Sequence, residues 1–147
     1  MQQSDNLEYW LRGPVPGIPP ILQPVAHALL QARKEVLEIM DQCPEALLWE
    51  KPAGMACPAF HLQHMAGVLD RLCTYARGQM LDAQQMAYLK AEGQPNDLAK
   101  KISLLEHFCE AVEIALQQLA HTSADSLLSP REVGRAKMGE KIVTQPK

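Results

Sequence analysis

Phe60-His61-Leu62-Gln63-His64-Met65-Ala66-Gly67-Val68-Leu69-Asp70-Arg71-Leu72 is the stretch from which this chain is read. Its apolar residues recur every three or four positions, the period of one face of an α-helix. Pro58 is placed to open that helix at its first turn, where a missing N–H is no loss, and Gly78 to close it. His61, His64 or Met65, Val68, Leu72 and Tyr75 share one face. Two histidines one turn apart are therefore expected to point toward an apolar interior. Ala66 and Gly67 leave room for a neighbouring backbone to approach closely.

The flanking sequence predicts more helices of the same kind. A first long helix is expected from about Pro20 to Cys43, with Leu22, Val25, Leu29, Ala32, Val36 and Ile39 as its apolar stripe. Pro44 stops it, and Pro44–Trp49 forms a single turn that caps the bundle. A short helix follows from an Asp82 cap to Lys90. Asn96 or Asp97 caps a third long helix ending near His121, with Leu98, Ile102, Leu105, Cys109, Val112, Leu116 and Leu119 facing inward. His27 lies about 140° around its helix from Leu22, at the edge of the stripe. His107, about 200° from Leu105, faces solvent, and His121 sits at a frayed end.

Three parts result. Residues 1–20 form an N-terminal arm, whose four prolines forbid a helix and whose Tyr9, Trp10 and Leu11 anchor it on the domain. Residues 21–130 form the helical domain, with three long helices near 20–43, 58–77 and 96–121 packed as an antiparallel core. Residues 131–147 carry Gly134, Gly139 and Pro146 and no sustained apolar period, which predicts a tail or the remnant of a fourth helix.

Composition agrees with an all-α fold. The 147 residues are 47% hydrophobic but only 5% aromatic, an aliphatic balance that suits helices better than aromatic-rich strands. A net charge of −3 offers no clustered positive surface for nucleic acid. Cys43, Cys57, Cys73 and Cys109 form no CxxC pair, so zinc-knuckle and thioredoxin-type motifs are unsupported. No basic leader precedes an apolar run, and no stretch approaches the ~20 residues needed to cross a bilayer. The expectation is a reduced, cytoplasmic protein with no membrane partner.

The histidines admit two readings. On a half-buried helix they can be satisfied by hydrogen bonds to neighbouring groups, and HxxH on one helix is a weak motif. Alternatively, His64 donates an imidazole nitrogen to zinc, nickel or iron while an acceptor holds its second nitrogen. A metal centre needs three or four converging donors, and this stretch supplies one or two.

Several segments in order carry a resemblance. Tyr9-Trp10-Leu11-Arg12-Gly13-Pro14, Pro24-Val25-Ala26-His27-Ala28-Leu29-Leu30-Gln31-Ala32, Phe60-His61-Leu62-Gln63-His64-Met65-Ala66-Gly67 and Asp70-Arg71-Leu72-Cys73-Thr74-Tyr75-Ala76-Arg77-Gly78 resemble the DinB-like superfamily. Pro130-Arg131-Glu132-Val133-Gly134-Arg135 is similar to the segment preceding its last helix, so the likeness spans residues 9 to about 137. It implies an up-down-down-up four-helix bundle, often dimeric, binding a divalent metal through one second-helix histidine and an HxxxH pair on the fourth. The first ligand maps onto His64, and no histidine follows His121 to supply the others.

The sequence therefore predicts a DinB/YfiT-like bundle with an incomplete or missing fourth helix. His64 is its only inherited metal position, and no catalytic residue is assigned. Two functions remain open. One is a metal-site-incomplete homologue acting as a helical interaction module, without cofactor. The other is a metal-dependent enzyme, of hydrolase or thiol S-transferase type, completed by a partner subunit. A missing helix leaves an apolar groove beside His64, Val68 and Leu72, which predicts a homodimer.

Overall fold

In the computed structural model, which describes residues 7–138 and 141–146, the chain is mostly helical. Its long helices are α1 (Gln23–Asp41), α2 (Pro58–Ala76) and α4 (Lys101–Ala120), with a short α3 (Ala83–Ala91) between the last two. Among the described residues no helix is long and apolar enough to cross a membrane.

Local chemistry sets most boundaries. Pro24 and Pro58 lie in the first turns of α1 and α2, where no N–H is needed. Gly78 follows α2 with φ +74°, a conformation that a Cβ disfavours. Asp82 caps α3, as the sequence predicts, and Gln85 reciprocates to complete a capping box. The cap of α4 is displaced from expectation. Asn96 Oδ1 instead accepts from Leu98 N at 2.9 Å, closing a turn, and the helix begins after Lys100. There Ser103 Oγ accepts from Lys100 N and donates to Lys100 O, while Glu45 Oε1 accepts from the first helical N–H, that of Lys101, at 3.0 Å.

The helix directions follow from two core clusters. At one end, Met40 of α1 meets Ala59 and Leu62 of α2 and Leu104 and Leu105 of α4. In the other, Leu22, Ala26 and Leu30 meet Ala66, Phe108, Val112 and Leu116. Hence α1 runs antiparallel to α2, while α4 runs parallel to α2, which corrects the expected all-antiparallel core. A parallel pair obliges the chain to return along the bundle between them, and the segment carrying α3 makes that return.

The apolar stripes are rotated from their expected phase. On α1 the buried residues are Ala26, Leu30, Gln31 and Met40, while Val25 and Ile39 are exposed. On α4 Leu104, Leu105, Phe108, Ala111, Val112, Ala115 and Leu116 are buried, whereas Leu98 and Ile102 are exposed. Small residues account for the shift. Ala26, Ala66, Ala111 and Ala115 are all buried between the helices, where larger side chains would hold them apart.

The arm is tied to α1, but of the three residues expected to anchor it Tyr9 alone packs on the core, and Trp10 and Leu11 are exposed. Tyr9 donates its N–H to Gln31 Oε1 at 3.0 Å. His27 Nε2–H donates to Gly13 O at 2.9 Å, a half-buried boundary histidine holding the arm.

Beyond α4 the expectation of a loose tail or helix remnant is not met by the described residues. Strands β1 (Pro130–Met138) and β2 (Lys141–Pro146) pair antiparallel, from Pro130↔Pro146 to Met138↔Lys141, with an irregularity between Glu132 and Lys137. Neither helix propensity nor an apolar helical stripe favours α-structure here, and the hairpin satisfies backbone groups that a loose tail would leave to water. Arg131 joins it to α2 by donating from Nε to Ala76 O at 3.2 Å. Of the expected tail, Gly139, Glu140 and Lys147 lie outside the described residues.

Candidate functional site

His64 and Arg71 lie two turns apart on α2, and both reach the carboxylate of Glu92, the residue that ends α3. His64 Nδ1–H donates to Glu92 Oε2 at 2.7 Å, and Arg71 Nη1 donates to Oε1 at 2.6 Å. The Glu92 and Arg71 side chains are 4% and 9% exposed, that of His64 45%. A buried carboxylate here keeps two charge-assisted partners, which offsets its lost hydration. Gly67 makes the arrangement possible. A Cβ at that position would fall well inside contact distance of Glu92 Oε1 and Arg71 Nη1, and 2.9 Å from the Tyr88 ring. The sequence signal for close approach at Gly67 is therefore correct, but the visitor is an ion pair and not a backbone.

His64 is half-exposed at the edge of the bundle, where its ring stacks on Phe60 at 5.2 Å. His61 is exposed and meets Phe60 edge-on at 5.4 Å. The two histidines that sequence placed on one inward face thus flank Phe60 instead. Nδ1 of His64 is held by Glu92, the orientation a carboxylate imposes on a metal-bound imidazole, whose other ring nitrogen would then be the donor to a metal. Among the described residues, however, no three His, Cys, Asp or Glu side chains gather to hold a metal ion. His64 offers one donor, so a divalent cation does not fit this chain's described residues alone, and no chemistry is assigned to one.

Two cavities flank α2 and α4. A cleft of about 650 Å³ with a mixed polar and apolar lining lies under α3, lined by Asp70, Cys73, Thr74 and Arg77 of α2 and its end, Gln85 and Tyr88 of α3, and His107, Glu110 and Ile114 of α4. Gln85 fastens α3 across it, donating from Nε2 to Asp70 Oδ2 at 2.9 Å and to Thr74 Oγ1 at 2.8 Å. Tyr88 donates its hydroxyl to Gln63 O at 3.1 Å and meets the exposed His107 ring edge-on at 5.3 Å. Burial, reinforced by the Glu92 charge, pushes the Tyr88 phenol up to about 12, so it remains a hydrogen-bond donor. Burial also pushes the Cys73 thiol up, with Arg77 opposing and Asp70 adding to the effect. The remaining cysteines are free, and Cys57 is wholly buried.

The second cavity is an apolar groove of about 1020 Å³ between α1, α2 and α4, lined by Val25, Leu29, Leu69, Leu72, Ile114 and Leu119 among others. Leu72, expected to line such a groove, does so, whereas His64 and Val68 are not part of it. His121 stands at the groove's rim, its Nδ1–H donating to Gln117 O at 2.7 Å. Glu92 was invisible to sequence reasoning: a lone acid after a short helix carries no motif, and only the fold returns it to His64.

No protein-family model, curated protein or solved structure matches this chain.

Proposed function

We propose that this chain is a DinB-like helical module that works by association rather than catalysis, forming a homodimer through the groove between α1, α2 and α4. The resemblance of its ordered segments supports the superfamily assignment. The groove supports the mode of action. Val25, Leu72 and Ile114 are 46%, 56% and 53% exposed, yet all three line this one concave surface. Scattered exposed apolar residues need no explanation, but three large ones converging from three helices mark a surface that gains by being covered. A two-fold interface sets the same patch against itself and brings apolar faces together without a new partner.

Sedimentation velocity at micromolar concentration tests this. The wild type should sediment as a dimer and Leu72→Glu as a folded monomer, because position 72 is exposed within the protomer. A well-folded wild-type monomer would overturn the reading.

The carboxylate of Glu92 at Nδ1 of His64 favours a second reading, a metal-dependent enzyme of hydrolase or thiol S-transferase type completed by another subunit. Measuring zinc, nickel and iron in the purified protein separates the two. Under this reading metal is present, His64→Ala removes it and His107→Ala does not.

A further inference from the structure

The cleft beneath α3 holds exposed charges of both signs that do not meet. Arg77 donates to Gln79 Oε1 at 2.9 Å, to Thr74 Oγ1 at 3.2 Å and to Gln118 Oε1, all neutral oxygens. Across the same space, Glu110 of α4 makes no side-chain hydrogen bond or ion pair among the described residues, and Asp70 receives only the Gln85 amide. Elsewhere in the described fold the opposite behaviour is seen. Arg71 pairs with Glu92 and Arg33 with Glu113.

We propose that this cleft binds a small zwitterion of the free α-amino-acid type, its carboxylate on Arg77 and its ammonium on Glu110 and Asp70. One molecule bearing both charges completes what the protein leaves open, and guanidinium–carboxylate geometry favours a planar anion at Arg77. The volume of about 650 Å³ lies within the range of small-molecule sites. Ala111 and Ile114 supply an apolar wall for a side chain. The Tyr88–His107 ring contact ties α3 to α4, so a compact molecule suits the space better than a peptide running through it. Arg77 and Ile114 line both this cleft and the groove between α1, α2 and α4, so the two sites adjoin.

Calorimetric titration of the full chain with L-leucine, L-leucine methyl ester and N-acetyl-L-leucine tests the proposal. L-leucine should bind in the millimolar range, and each blocked form about tenfold more weakly or not at all. Glu110→Gln, at an exposed position, should weaken L-leucine about tenfold and abolish the preference over N-acetyl-L-leucine. Arg77→Gln should abolish the preference over the methyl ester, with circular dichroism confirming the fold. Equal responses to the three probes, or none to any, would overturn it.

Discussion

Arg71 and Glu92 form an ion pair at 2.6 Å directly over the bare α-carbon of Gly67, four residues before Arg71 on the same helix. The return segment is thereby locked to α2 at a point where the helix has no side chain. His64 closes the other side of the carboxylate.

Gly67→Ala should be destabilising despite the better helix propensity of alanine. Propensity favours alanine by about 1 kcal/mol, but the added Cβ falls inside contact distance of Glu92, Arg71 and Tyr88. Displacing a buried ion pair outweighs that gain, and a net loss of about 1–3 kcal/mol is expected from urea unfolding. A more stable Gly67→Ala protein would show that α3 is not seated as described.

Glu92→Ala leaves Arg71 as a buried, unpaired cation and should cost about 3–5 kcal/mol. Arg71→Met combined with Glu92→Leu should cost much less than either charge removed alone, because both desolvation penalties vanish together. Denaturant melts of Arg71→Met, Glu92→Leu and the double variant give the coupling. Strict additivity would mean that the pair is solvent-screened.

Alkaline pH should weaken the fold through Tyr88. Its phenol titrates at about 12 in the folded chain against an ordinary value of 10, so the folded state holds its proton more tightly than the unfolded state. The contribution is fully present below pH 10 and is lost as pH rises through 12. Because Tyr88 is half-buried, the effect is modest, and Tyr88→Phe should flatten the decline in thermal stability across that window. An unchanged slope in the variant would assign the decline to other groups.

Sequence alone determined the helical architecture of this protein. Proline and glycine positions bounded α1 and α2 to within a few residues, and Asp82 specified the start of α3, because capping and backbone restriction act locally. The tertiary structure decided the rest. Which flank of α1 is buried depends on where alanines let α2 and α4 approach, so Ala26 went inward and Val25 outward. Pairing of residues 130–138 with 141–146 requires a partner strand that no helical period reveals. The candidate site is likewise a product of long-range return. His64 was legible as a chemically interesting residue, but Glu92 lies 28 positions away and meets it only when α3 folds back over Gly67. Local chemistry writes its signal within a turn or two of the chain; a carboxylate brought home by topology leaves none.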